Sequence, residues 1–371
     1  MSSHVRPAGA ERITGAPLLS VHGTSKRFGG KRRLIGGPTP TIRAVHEVDL
    51  ELYPGDSLGV VGESGCGKST LARMIMGIIP PSGGEIYFRG RDITSLGADK
   101  RKELYRSVQF VFQDPQSSLN PRKTVRQILE TPMIELLGLE KPERERRLLE
   151  LMDLVNMRPE FLDRHPHEFS GGQAQRIGIA RALAPDPELL ILDEPVSALD
   201  VSIQAQILKL LLSLKRDLNL TYLFISHDLA VVDYLCDRVA VMYLGGVVEH
   251  GSAEQIFDAP RHPYTHVLLA SVPEPGNYES TRLQLEGELP DPSNPPAGCP
   301  FAPRCYRVQP RCWEAPPPLV DYGAGHEAAC YFGDDPKPPP EKTSGVEGAG
   351  PGSDGSGQPE EDGPGAGRTG L

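Results

Sequence analysis

The 371-residue chain predicts an α/β fold with a parallel sheet at its centre, and three observations carry that prediction. The first is a short apolar strand, SLGVV at Ser57–Val61, followed by a glycine-rich run and then a helical pattern. The second is LLILDEP at Leu189–Pro195, four apolar residues that read as a strand buried on both faces and then two acids. The third is the order of the shorter motifs around them: Gln113 in VFQD, FSGGQ at Phe169–Gln173 and His227 in FISHD. Each is weak to moderate alone. Their order and gaps make the combination specific.

Residues 1–17, beginning MSSHVRPAGAER, have no apolar core and read as a leader rather than a secretory signal. A strand region, Leu18–Phe28, opens the main domain, assigned to 18–260. After it KRRLIGGPTP is basic and rich in Gly and Pro, the composition of a solvated hairpin. Next come Gly62, Glu63, Ser64, Gly65, Cys66, Gly67, Lys68, Ser69 and Thr70, which fit the phosphate-loop pattern of strand, glycine turn and helix. Glycines let successive amide N–H groups point into one concavity, at a helix N-terminus that favours anions. Lys68 would reach the β- and γ-phosphates of ATP, and Ser69 would hold Mg²⁺. The fold class is therefore that of a P-loop NTPase.

Residues 114–168 are expected to form a helical subdomain. Asp114-Pro115 breaks the preceding strand, SSLNPRKT is a turn, and VRQILETPMIELLGL and RRLLELMDLV have helical apolar spacing. In LLILDEP, Asp193 would stand beside the phosphate loop of a neighbouring strand and join the Mg²⁺ shell. Glu194 could accept a proton from an attacking water. Gln113 and His227 follow apolar strands and could bond water, the γ-phosphate or, for Gln113, the metal ion. Singly, each of the two reads first as an ordinary polar residue at a strand end.

FSGGQ shortly before the acidic strand resembles the ATP-binding cassette (ABC) family. The resemblance implies that Ser170, Gly171, Gly172 and Gln173 cap the γ-phosphate of ATP held on another subunit. It implies that Ser197-Ala198-Leu199-Asp200 crosses a head-to-tail dimer interface, and that an aromatic ring near Phe28 stacks on adenine. A core role for Phe28 is the competing reading. EPVSALDVSIQAQIL, VMYLGGVVEHG, RHPYTHVLLASVP and PPAGCPFAPRC narrow the resemblance to ATPase subunits of bacterial oligopeptide and dipeptide importers, from about Leu18 to Phe332. HEFSGGQ with EPVSALDVS is closer to the second of the two non-identical ATPases of such systems. Ala174 departs from that pattern, standing where many relatives carry Arg or another polar residue. Implied partners are a second ABC ATPase, two transmembrane permease subunits that dock a coupling helix on the helical subdomain, and an extracytoplasmic solute-binding protein. The implied place is peripheral, on the cytoplasmic face of the membrane.

Six cysteines fall in two groups. Cys66 and Cys236 read as non-catalytic. Cys299, Cys305, Cys312 and Cys330 cluster in a Pro-rich segment that cannot build much core, within an extension assigned to 261–333. Such segments are often stapled by a metal, and disulfides are rare in cytosolic chains. Four thiolates suit zinc or an iron–sulfur cluster, and the spacing does not choose. The resemblance implies a four-iron four-sulfur cluster. Residues 334–371 hold ten Gly, seven Pro, eight acids and three bases, a composition expected to be disordered.

The net charge of −10 argues against general nucleic-acid affinity. No apolar run reaches the roughly 18 residues that span a bilayer. The sequence thus points to an ATPase that powers uptake of peptides. Related importers for nickel or glycosides, and a soluble non-transport ABC protein, are the alternatives. The latter usually pairs two cassettes or carries a long coiled coil, and this chain has one FSGGQ and no heptad run. An iron–sulfur redox protein would need an electron-partner motif, and none is visible.

Overall fold

A computed structural model of the chain describes residues 15–30, 41–271 and 289–337. The expected hairpin at 31–40, most of the leader and the tail from 338 onward lie outside the described residues.

The strands are β1 (Leu19–Phe28), β2 (Ile42–Leu52), β3 (Ser57–Val61), β4 (Gly83–Phe88), β5 (Arg91–Asp92), β6 (Val108–Val111), β7 (Leu189–Asp193), β8 (Thr221–Ser226), β9 (Arg238–Tyr243), β10 (Gly246–Ser252), β11 (Val320–Asp321) and β12 (Glu327–Ala328). The α-helices are α1 (Lys68–Ile75), α2 (Ala98–Ser107), α3 (Val125–Pro132), α4 (Lys141–Leu154), α5 (Gly171–Leu183), α6 (Val201–Leu218), α7 (Leu229–Leu235), α8 (Ala253–Asp258), α9 (Pro263–Ala270) and α10 (Arg311–Glu314).

The central sheet runs β11-β12-β10-β9-β3-β8-β7-β6. From β9 to β6 every pairing is parallel, and the edge beyond β9 is antiparallel. SLGVV, LLILD and TYLFIS are buried at every position, because both faces of the sheet are covered. Side chains alternate between two cores with the period of the pleat. Leu58, Val60, Leu189, Ile191, Leu223 and Ile225 face α1 and the smaller sheet β2-β1-β4-β5. Val61, Leu190, Leu192, Tyr222 and Phe224 face the other way, into the core shared with α5, α6 and α7. β8 lies between β3 and β7, so the acidic strand is two places from the loop's strand rather than adjacent to it.

Between β6 and α5 the chain is mostly helical, with one irregularity. Thr124 and Gln127 make a reciprocal capping box that starts α3. Pro132 closes α3, and a π-helical turn follows at Met133–Leu137. Proline lacks the N–H that the α ladder needs, and a wider turn is a common way to absorb that loss. Leu148, Leu151 and Met152 of α4 pack against Ile128 and Leu129 of α3 in the same core. Ala174 is fully buried in α5, where a long polar side chain would need a partner.

The cysteine-bearing segment packs onto the main domain. β12 pairs with β10 at Glu249↔Ala328, and Cys299, Phe301, Ala302 and Cys312 belong to the larger core. Fully buried Glu249 ties the segment down. It accepts from the Arg261 N–H at 2.6 Å and the His262 N–H at 2.9 Å, and His326 Nε2 lies 2.8 Å from it.

His262 caps α9: its Nδ1 accepts the Tyr264 N–H at 3.0 Å. Burial pushes this imidazole down to about 4. Protonation would charge a buried ring and turn the capping acceptor into a donor. The unfolded chain, with an ordinary histidine near 6.5, binds the proton first as pH falls. Stability from this group is present above about pH 6.5 and is lost as pH falls toward 4. We expect thermal melting to drop between pH 7.5 and pH 5.5 (about those values), and to drop less in His262→Asn, which can still cap without titrating. Equal acid losses in the two proteins would contradict this.

Candidate functional site

The phosphate loop lies between the carboxyl end of β3 and the start of α1. Two glycines are required by contact. A Cβ on Gly62 would sit 2.2 Å from the Met242 carbonyl oxygen, and one on Gly67 would sit 2.1 Å from that of Ala44, both with φ positive. The Lys68 side chain is buried and lies across the loop, its Nζ donating to the carbonyls of Gly62 at 2.8 Å and Glu63 at 3.0 Å. The first-turn N–H groups of Lys68, Ser69 and Thr70 have no partner within α1, because every α-helix leaves its leading amides free. Ser64 and Gly65 form the exposed crest of the loop. Cys66 is buried, and burial pushes its thiol up, so it is not a ready nucleophile.

The acidic pair meets this loop from β7. Ser69 Oγ donates to Asp193 Oδ1 at 3.0 Å, joining the two expected Mg²⁺ ligands across the intervening strand. Burial raises the Asp193 carboxyl above the ordinary range, opposed by the Ser69 hydrogen bond. A cation between them would reverse that burial effect.

Glu194 is where the other expected residues converge. Gln113 Nε2 donates to Glu194 Oε2 at 2.9 Å, and His227 Nδ1 lies 3.1 Å from Oε1. The Glu194 backbone has φ 48°, the left-handed region that non-glycine residues rarely adopt. Its N–H is held by the Ile225 carbonyl at 2.9 Å. The strained backbone aims the carboxylate between the ends of β6 and β8. Three residues from three strand ends thus share one carboxylate, an arrangement able to orient a water and take its proton.

Ser170 caps α5, accepting the Gln173 N–H, while the Gln173 side chain accepts the Ser170 N–H at 3.1 Å. A Cβ on Gly172 would come within 2.5 Å of Ile203, so this glycine lets α5 abut α6. Among the described residues no hydrogen bond joins Ser170–Gln173 to Gly62–Thr70. Phe28 ends β1 and is 42% exposed, which removes the core reading, and Lys26 Nζ stands 5.3 Å from its ring centre. Cys236 is buried beneath β3, as a packing residue would be.

Cys299, Cys305, Cys312 and Cys330 line one cavity, together with Phe301 and Arg307. Among the described residues, however, no group of three or more His, Cys, Asp or Glu side chains is arranged to hold a metal ion. Burial pushes the Cys299 thiol up to about 11 and the Cys305 thiol to about 12.

One set of contacts went unread in the sequence. Both Glu63 carboxylate oxygens accept from Arg304 Nη1, at 3.1 and 3.0 Å, and the Glu63 N–H donates to Tyr264 Oη at 2.9 Å. RHPYTHVLL and CPFAPRC carry these residues, but nothing local in either run points 201 or 241 positions back along the chain.

A strand, phosphate loop and helix facing an acidic strand end, with FSGGQ capping the helix before that strand, define an ATP-binding cassette ATPase. Comparison with known proteins agrees. Residues 45–197 match the ABC transporter family, and residues 248–312 match the oligopeptide/dipeptide transporter C-terminal region. The chain is 46% identical to the dipeptide transport ATP-binding protein DppF of Haemophilus influenzae, over 85% of this chain and 96% of that one. It is 47% identical to the oligopeptide transport ATP-binding protein AppF of Bacillus subtilis, over 85% and 97%. Among solved structures it resembles a dimeric post-hydrolysis state of the ATP-binding cassette MJ0796 bound to ADP and Pi. That likeness has a TM-score of 0.56 and 28% identity, over 63% of this chain and 98% of that one. The chain belongs to the ABC transporter family, in the group of oligopeptide and dipeptide transport ATP-binding proteins.

Proposed function

We propose that this chain hydrolyses ATP to drive peptide import through a membrane permease. The observation that carries the reading is the convergence of Gln113 and His227 on Glu194 next to the Ser69–Asp193 pair. ATP would lie with its phosphates on the amides of Gly62–Thr70, Lys68 on the β- and γ-phosphates and Phe28 against adenine. Mg²⁺ would be held by Ser69 and Asp193, with Gln113 within the same shell, and would neutralise charge on the phosphates. Glu194 takes the proton of the attacking water, His227 steadies the carboxylate, and the surrounding dipoles stabilise the transferring phosphoryl group.

Ser170–Gln173 serve the γ-phosphate of a partner's ATP, so the working unit is a dimer, with a second ABC ATPase as partner. The domain division is 18–260 for the nucleotide-binding domain, with 114–168 as its helical subdomain, and 261–333 as the extension. No described helix is long and apolar enough to cross a membrane, so attachment to the membrane comes through two permease subunits, fed by a solute-binding protein. The peptide preference rests on the named relatives.

The four cysteines are assigned to a four-iron four-sulfur cluster, with zinc as the second candidate. What supports the assignment is the chemistry of the donors: four thiols line one cavity, and backbone N–H groups of Arg307 and Phe332 donate to Cys305 Sγ at 3.4 Å and Cys330 Sγ at 3.5 Å, although the thiols are not drawn together around one point as they stand. Such N–H bonds stabilise thiolate sulfur. When bound, the group would supply a cross-link between loops that own little core.

The test is reconstitution. The chain alone should hydrolyse ATP poorly and gain activity with a related second ATPase and the permease pair in lipid vesicles. Lys68→Ala should weaken ATP binding by roughly 30-fold or more, since it removes one partner of a buried charge pair. Full activity of a dilute monomer would refute the shared-site reading.

A further inference from the structure

We propose that Arg304 is a positioning residue for the nucleotide site, carrying the state of the four-cysteine segment to the phosphate loop through Glu63. This rests on the reading of Gly62–Thr70 as a nucleotide loop.

Glu63 is held from three sides. Its carboxylate takes both hydrogen bonds from Arg304, its N–H goes to Tyr264 Oη, and its carbonyl accepts from Lys68 Nζ at 3.0 Å. The same residue therefore touches the extension and the lysine that would meet the phosphates. Arg304 is deeply placed, its side chain 5% exposed, and Nη1 also reaches Tyr243 Oη at 3.4 Å. It closes a 3-10 turn, Ala302–Arg304, directly before Cys305. Two backbone bonds fix that turn to the cysteines, Ala302 N to Cys299 O at 3.0 Å and Cys305 N to Ala302 O at 3.3 Å, and Arg304 N to Phe301 O at 3.0 Å closes the turn itself.

The path between the sites is continuous and packed. Phe301, 1% exposed, lines the cysteine cavity and packs at a tilt against Tyr264 and edge-to-face against Tyr243, with ring centres 5.4 and 5.3 Å apart. Tyr243 and Tyr264 meet at 4.7 Å. A shift of Cys299 or Cys305 must move this turn, and Arg304 with it, because close-packed interiors transmit displacement. Charge gives the contact its consequence. An unpaired Glu63 carboxylate at the second residue of the loop would oppose incoming phosphate oxygens, whereas Arg304 neutralises it and supplies positive charge. Coupling between two sites is reciprocal, so nucleotide on the loop must also steady the cysteine segment.

Two measurements on the full-length chain test this. The first is equilibrium affinity for a fluorescent ATP analogue in wild type, Arg304→Met, Arg304→Lys, Glu63→Gln and the double variant Arg304→Met/Glu63→Gln, with Lys68→Ala as the control. Arg304→Met should bind roughly tenfold more weakly, within the usual range of coupling between sites. Arg304→Lys should retain most of the affinity. The double variant should bind as Glu63→Gln alone does, because the offending carboxylate is gone. The second is alkylation of Cys299, Cys305, Cys312 and Cys330, read by mass spectrometry with and without ATP. ATP should slow it severalfold in wild type and leave it unchanged in the double variant.

Wild-type affinity in Arg304→Met, with Lys68→Ala impaired, would overturn the proposal. So would a double variant as weak as Arg304→Met, which would make Arg304 a packing residue only. ATP-independent alkylation in wild type would remove the coupling. Failure of wild type itself to bind the analogue would instead bring down the assignment of the loop.

Discussion

Glu194→Gln should leave ATP bound and cut turnover by roughly 10²- to 10⁴-fold, the range that a positioned general base contributes. The substitution keeps the shape of the side chain, and the N–H bond to Ile225 that fixes the backbone is untouched. What it removes is the acceptor for a water proton. Gln113 and His227 would still face the group, so the position would stay ordered. The φ of 48° at Glu194 costs on the order of 1–3 kcal/mol in a non-glycine residue, and Gln bears the same cost. Stability should therefore change little. A chain that binds ATP but does not turn it over should accumulate the nucleotide-filled dimer, seen as a larger species in size-exclusion chromatography with ATP and Mg²⁺. Near-normal steady-state hydrolysis by the assembled Glu194→Gln complex would defeat the assignment of the base. His227→Ala should cost less than Glu194→Gln, since the His227 ring nitrogen faces the Glu194 carboxylate and the carboxylate itself would remain.

The phosphate loop and the acidic strand were legible because their chemistry is local. Gly62 and Gly67 must lack a Cβ, Lys68 and Ser69 must follow at once, and LLILD must be apolar on both faces. Gln113 and His227 were legible only as candidates, because each follows an apolar strand and nothing near it says what it meets. Parallel strands resolve that ambiguity. They bring the carboxyl ends of β6, β7 and β8 to one edge, so residues 81 positions apart, Gln113 and Glu194, come within 2.9 Å. Periodicity could not reveal the insertion of β8 between β3 and β7, since strand order is a tertiary property. Nor could it reveal the wide turn after Pro132. The same limit hid Arg304 and Tyr264. Their partner is the phosphate loop, and neither residue stands out by type or spacing within its own run.

Replacing any one of Cys299, Cys305, Cys312 or Cys330 by Ser should lower the melting temperature and impair assembly while leaving Asp193 and Glu194 in place. The argument begins with the core. Outside Cys299, Phe301, Ala302 and Cys312, the segment contributes little buried apolar surface, and its strands β11 and β12 are two residues each. Backbone ordering costs about 1–2 kcal/mol per residue, more than so few contacts return. The four thiols sit in one cavity, and burial holds the Cys299 and Cys305 thiols protonated in the absence of positive charge. A bound metal centre reverses that, converting thiols into thiolate ligands and making binding free energy into folding free energy. The loss on removing one ligand should exceed that of Cys236→Ser, a buried thiol outside the cavity, and it should be matched in wild type by treatment with a strong chelator. An anaerobic preparation should be brown, with iron and sulfide in equal amounts. Zinc at one per chain with neither iron nor sulfide would replace the cluster by a zinc cross-link. No metal in a carefully anaerobic sample, with the Cys→Ser variants as stable as wild type, would sink both.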